Sequence, residues 1–307
     1  MGGTRWSDRH YHDRAAELKR TNRSAFGHNE DIDYGRVQAG VHEDMDPSRF
    51  RNGVREARDS EVHPHSTPIA VMFDVTGSMR RVPRILQQNL CKLLGLCLRR
   101  GFVEDPAILI AGIGDATCDV APVQIGQFES GNEIEQDLDH LYLEGGGGGQ
   151  MTESYELALY FLARKAAVDC YAKRGKRGYA FIIGDEMPYP RVKRREVRRI
   201  FGDHLQADIP LRQILAEAEE KFEIYSVLPN LTSYYTDRKV IECWRDLLGQ
   251  RALRLDDPKG ISELIATTVG LAENAVATND VGKTLRGEGI DRKIAKAVST
   301  ALAGVGG

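Results

Sequence analysis

What this chain lacks narrows its reading first. No apolar run approaches the roughly 20 residues of a membrane-spanning helix, and the opening MGGTRWSDRHYHDR has no apolar core of a secretion signal. The expected location is therefore cytoplasmic, with no membrane partner. Cysteine is scarce: Cys91, Cys97, Cys118, Cys170 and Cys243 are odd in number and show no C-x-x-C spacing. That argues against a disulfide framework and a thiolate zinc site, and predicts small buried side chains in a reducing compartment. Neither sign of charge dominates, since 42 basic residues face 45 acidic ones for a net −3. A chain that binds nucleic acid over its whole surface is argued against on that ground. What is present is a core: 41% of the 307 residues are hydrophobic, too many for a disordered chain.

The apolar residues come in short runs. Ile69–Phe73 has the length and composition of a strand buried on both faces of a parallel sheet. It breaks at once into Asp74-Val75-Thr76-Gly77-Ser78, where a carboxylate and two hydroxyls recur at every second residue and Gly77 lets the loop bend. Such an all-oxygen array suits a hard cation, Mg²⁺ with Mn²⁺ or Ca²⁺ as alternatives, rather than zinc. Ligands of open α/β sheets bind outside the carboxyl ends of strands, which is where this loop falls.

The D-x-T-x-S segment Asp74, Thr76, Ser78 resembles the metal-ion-dependent adhesion site of a von Willebrand factor type A domain. Later segments follow the same pattern. Five glycines, Gly145–Gly149, precede Gln150-Met151-Thr152-Glu153, in the place where the resemblance implies a third ligand just before a helix. Thr152 and Glu153 are equal candidates, because the family's threonine position falls nearer Glu153. Tyr179–Ile183 (YAFII) is another buried strand, ending in Gly184-Asp185-Glu186. There Asp185 matches the aspartate that closes the family's site. Asp115 and Glu186 are candidates for groups just behind the ligands, with a plain turn aspartate as the alternative for Asp115.

The resemblance covers residues 66 to 278 and implies an α/β fold: a doubly wound six-stranded sheet in the order 3-2-1-4-5-6, with one antiparallel edge strand. The remaining strands read as Ala107–Ile113, a polar edge strand within Asp119–Ile125, Phe222–Leu228 and Ala252–Leu255. Helices read as Ile85–Leu98, Glu133–Leu141, Val240–Leu248 and Ile261–Val276. Residues 1–66 read as a polar N-terminal extension, 67–278 as the von Willebrand A domain, and 279–307 as a C-terminal tail whose amphipathic helix, Ile290–Leu302, is free to dock. A fragment of residues 66–278 is expected to fold alone.

Three features compete for attention. Six of eight histidines lie in the extension, with H-x-H at His10/His12 and His63/His65; the pairs read as solvated loop residues, with a metal site as the alternative. Arg191–Arg199 (RVKRREVRR) offers the one basic surface for nucleic acid or an acidic partner. Its helical spacing is expected to spread the charges around the axis. Ala277–Thr284 matches a permissive phosphate-loop pattern but follows a helix rather than a strand.

The function the resemblance implies is a metal-dependent protein-interaction module. The divalent ion takes an aspartate or glutamate of a partner protein, and the module works in a bacterial or phage multiprotein system, alongside an AAA+ ATPase or in stress or defence. The alternative is a Mg²⁺-dependent hydrolase or phosphoryl-transfer enzyme, for which the sequence offers no evident nucleophile or poised base.

Overall fold

The computed structural model describes residues 5–304 apart from 22, 24–25, 51–52 and 147–148. Six strands make the central sheet: β1 (Ser66–Asp74), β2 (Asp105–Ile113), β3 (Val123–Ile125), β4 (Gly178–Ile183), β5 (Phe222–Pro229) and β6 (Ala252–Leu255). Their spatial order is β6-β5-β4-β1-β2-β3. All pairs are parallel except β3 against β2. This is the expected order and edge strand, although β3 keeps only the last three residues of the polar run, because Pro122 cannot donate to a ladder.

Successive side chains of a strand point to opposite faces, and both faces of this sheet are covered. Ile69, Val71 and Phe73 of β1 join one apolar cluster with helices Val82–Arg100, Ile261–Ala272 and Arg292–Leu302. Ala70 and Met72 join the other, against helices Tyr155–Arg164, Leu211–Glu219 and Arg238–Leu248. A strand packed on both sides has no solvent face, hence the unbroken apolar runs. Helix Val82–Arg100 ends at Gly101, whose φ of +60° is left-handed and favours glycine.

Several expectations change. The flanks are part of the core: Phe26 and Met45 from the extension, and Val281, Leu285, Val298 and Leu302 from the tail, are all buried in the first cluster. The last helix therefore has no free apolar face, and a fragment of 66–278 would expose the surface these residues cover. Helix Tyr155–Arg164 is buried on every side from Tyr155 to Ala163. In helix Arg194–Phe201 the four arginines are exposed while Glu196, Val197, Ile200 and Phe201 are buried. The charges thus share one side instead of circling the axis. Cys97 and Cys170 are buried, but Cys118 is exposed and Cys243 half-buried; the Cys91 side chain lies outside the described residues. Among the described residues no helix is long and apolar enough to cross a membrane.

Candidate metal centre

The register of the sheet assembles the site. Asp74 is the last residue of β1, level with Ile113 of β2, and Phe73 pairs with Ile183 of β4. The loops after β1, β2 and β4 therefore leave the sheet at one height, bringing Thr76, Asp115 and Asp185 to the same edge. A short parallel pair, Thr152 opposite Met187 and Glu153 opposite Pro188, sets Glu153 beside Glu186. The segment around this pair holds Gly147 and Gly148 of the glycine run, which lie outside the described residues.

Asp74 is fully buried and each of its oxygens is held. Oδ1 accepts from the Thr76 amide and hydroxyl, both at 2.7 Å. Oδ2 accepts from the Tyr155 hydroxyl at 2.8 Å. Gly184 makes that last bond possible, since a Cβ there would overlap the Tyr155 hydroxyl. Ser78 Oγ sits 3.3 Å from Thr76 Oγ1 and donates to Asp185 Oδ1 at 2.6 Å, while the Tyr234 amide donates to Asp185 Oδ2 at 2.9 Å. Gly77 is needed for proximity: its N–H donates to the Gly146 carbonyl at 2.5 Å, and a Cβ would come within 2.9 Å of that oxygen. The D-x-T-x-S loop and the start of the glycine run are thus locked together.

Three carboxylates, Asp74, Glu153 and Glu186, bring one oxygen each to within 4.8 Å of one another, and all three are buried. No lysine or arginine pairs with any of them among the described ion pairs. Glu153 is 2% exposed and its Oε1 has no hydrogen-bond partner, a costly state for a buried polar atom. Burial first, then mutual repulsion, pushes the carboxyls above their ordinary range: Glu186 to about 8, and Asp74 and Glu153 upward as well. The cluster opens into a cleft of about 420 Å³ that Thr76, Ser78, Thr152, Ser233 and Tyr234 also line.

The donors fit a hard divalent ion: carboxylates and hydroxyls, with no nitrogen or sulfur among them. Of the two third-loop candidates, Glu153 enters the acidic group, whereas Thr152 lines the cleft and meets the Tyr189 hydroxyl. Glu186 joins the carboxylates directly instead of standing behind them. Asp115 does not: its Oδ1 accepts from the Thr117 amide and hydroxyl, and its Oδ2 from Tyr189 and Gln150. Burial raises its pKa, but these bonds outweigh it and hold the group below the usual carboxylate range. Asp115 ties down the turn and fastens the loop around Gln150 to it.

Sequence reasoning missed Tyr155, which orients Asp74, and Ser233 with Tyr234, which brace the D-x-T-x-S loop from the segment after β5. The Ser233 amide and hydroxyl both donate to the Ser78 carbonyl, at 3.0 and 3.1 Å. Tyr155 had a signal, an aromatic hydroxyl in an otherwise apolar helix face; the serine and tyrosine had none.

No protein-family model matches the sequence, and no curated protein does. Solved structures similar to it include the pilus adhesin SpaC of Lactobacillus rhamnosus GG in its open conformation (TM-score 0.46, 10% identity over 73% of this chain and 31% of that one). Proximal thread matrix protein 1 of the mussel byssus (0.42, 10%, 67% and 48%) is another. A third is a von Willebrand factor type A protein of Catenulispora acidiphila (0.39, 11%, 67% and 42%). The chain spans less than half the length of each of these. The reading of the cleft rests on its own atoms.

Proposed function

We propose that this chain is a metal-dependent protein-interaction module. Mg²⁺, with Mn²⁺ or Ca²⁺ able to substitute, is held by Asp74, Thr76, Ser78, Glu153 and Asp185 at the end of the sheet, and a partner protein supplies an aspartate or glutamate to it. One observation carries the reading: a buried Glu153 oxygen without a partner, on a residue grouped with two other carboxylates that no described lysine or arginine pairs with. A divalent ion removes both penalties together.

The charge balance adds a condition. Once ionised, Asp74, Glu153, Glu186 and Asp185 together carry more negative charge than one divalent ion cancels, so an incoming acid is expected to displace a resident one. Glu153 and Glu186 both line the cleft, but the Glu153 backbone is paired with Pro188 and Glu153 is 2% exposed, whereas Glu186 lies outside that pair and is 6% exposed. Glu186 therefore holds the partner's place until the partner arrives.

The test is calorimetric titration of Mg²⁺ into wild type and Asp74→Asn, beside a partner pull-down with and without EDTA. Asn keeps the Thr76 contacts and spares the Tyr155 hydroxyl the loss that Ala would impose. Wild type is expected to bind one ion and to lose its partner in EDTA, and Asp74→Asn to bind neither ion nor partner. Absence of a Mg²⁺ signal in wild type overturns the reading. Mg²⁺-dependent hydrolysis of a phosphate ester, lost in Asp74→Asn, would move the chain to the enzyme alternative.

A further inference from the structure

A second group of metal-ligating side chains joins the N-terminal segment to the sheet domain. His42 precedes the 3₁₀ turn Glu43–Met45, which contains Asp44, and His140 is the last residue of helix Ile134–His140. Nearly a hundred residues separate the two histidines, so no spacing motif announces them. Neither H-x-H pair takes part: His63 meets Asp105 and His65 meets Glu104.

The geometry is specific. Nδ1 of His42 and Nδ1 of His140 lie 3.7 and 3.5 Å from the same oxygen, Asp44 Oδ2. Those separations are too long for hydrogen bonds. They are close to the roughly 3.4 Å edge of a tetrahedron built on zinc bonds of about 2.0–2.1 Å. The His140 Nδ1 is closed to solvent and has no hydrogen-bond partner. The His42 Nδ1 accepts the Asp44 amide N–H at 3.3 Å, a long bond that an ion bound at that nitrogen would replace. The two rings are stacked, centroids 3.7 Å apart and planes 14° from parallel. His28 packs edge-on against His42 at 5.0 Å while its Nε2 meets the Gly40 carbonyl at 3.0 Å, which braces His42. The adjoining cleft carries Glu43, Asp46, Glu129 and Asp137, which outnumber Arg49 and Arg55 and favour a cation.

We propose that His42, Asp44 and His140 form a binding site for a divalent transition ion of the Zn²⁺ type, and that this ion pins the N-terminal segment to the sheet domain. Imidazole nitrogen with one carboxylate selects zinc over magnesium, so the site is chemically separate from the all-oxygen cleft. Asp44 is 65% exposed, which leaves a path for the ion and a position for water. For both Nδ1 atoms to reach one ion the near-parallel rings would have to rotate out of their stack, since in-plane lone pairs of parallel rings do not converge.

The experiment titrates Zn²⁺ into the full chain carrying Asp74→Asn, which removes the other site, and compares it with the same chain carrying His140→Gln or Asp44→Asn. The exposed Asp44 makes the second variant safe for folding. One zinc per chain is expected, with affinity lowered at least tenfold by either added substitution. Co²⁺ in place of zinc should show visible absorption bands that disappear in both variants. Limited proteolysis of the Gly35–Val41 loop should slow when zinc is added. Zinc binding that is absent, or indifferent to both substitutions, overturns the site; zinc binding without protection of the loop overturns the clamp.

Discussion

Two groups of acidic side chains in this molecule meet opposite fates. Asp59 and Asp169 are surrounded by cations of the chain itself: Arg58 and Lys173 reach Asp169 at 2.8 and 2.7 Å, and Arg174 reaches Asp59 at 2.5 Å. Burial opposes the ionised form of Asp169, but the bonds from Lys173, Arg58 and the Asp59 amide outweigh it and draw its pKa down to about 2. Asp74, Glu153 and Glu186 are all buried, and among the described residues no lysine or arginine forms an ion pair with them. Acidic residues alone therefore do not mark a site. The distinction lies in whether the fold supplies the opposite charge or leaves it to come from outside.

The largest expected difference between the groups is their response to metal. Mg²⁺ at a hundredfold excess over its dissociation constant should stabilise wild type by about 2.7 kcal/mol. A thermal melt should show that shift vanish in Asp74→Asn and persist in Asp169→Asn. If Asp169→Asn abolishes it too, the two groups do not differ as argued.

Next comes the orientation of Asp74. Gly184→Ala drives a Cβ into the Tyr155 hydroxyl and should cost about 2 kcal/mol as an overpacked site. It should also weaken Mg²⁺ binding by about tenfold, as the loss of a ligand's orienting partner does. Unchanged affinity in a destabilised variant would show that Tyr155 only fills space.

Neutralising the paired group should then lower stability by roughly 1.5 kcal/mol at pH 7, with or without Mg²⁺. The sign follows from the depressed pKa: Asp169 contributes stability above its unfolded value near 4, and the contribution is lost as pH falls toward about 2. Urea melts of Asp169→Asn and wild type should accordingly converge in acid.

The smallest effect has the opposite sign. In EDTA at pH 8, Glu186→Gln should raise stability by up to about 1 kcal/mol, by removing a charge from an unanswered cluster. A folded pKa raised to about 8 means that stability present below the unfolded value near 4.5 is lost as pH rises through 8. At pH 5 the variant and wild type should therefore melt alike, and Mg²⁺ should reverse the alkaline loss. A Glu186→Gln variant less stable than wild type at pH 8 in EDTA would break the comparison.

The architecture was legible because apolar runs in a sheet covered on both faces leave little room for another reading. Ile69–Phe73, Ala107–Ile113 and Tyr179–Ile183 all fall in strands, in the expected order. Residues tied to a strand end were legible too, since Asp74 and Asp185 inherit their positions from the sheet. What stayed hidden depends on contacts without period. The two-residue pairing that joins Glu153 to Glu186 is too short to have a pattern. The burial of Met45 and Val298 could not be seen either, because a few apolar anchors in a polar stretch look alike whether they pack or not. Helix Leu211–Glu219 was overlooked beside the more apolar β5 run that follows it.

The brace between Ser78 and Ser233 ties the D-x-T-x-S loop to an exposed rim. Ser78 gives its hydroxyl to Asp185 and its carbonyl to Ser233, while the amide of Tyr234 closes on Asp185 from the other side. Leu231, 55% exposed with a left-handed φ of +73°, stands in the same segment. An ion that draws Ser78 and Asp185 together therefore also selects one arrangement of the rim. Thermodynamic reciprocity then sets the terms for any protein that docks on Leu231 and Tyr234: the factor by which the ion strengthens its grip is the factor by which it strengthens the ion's.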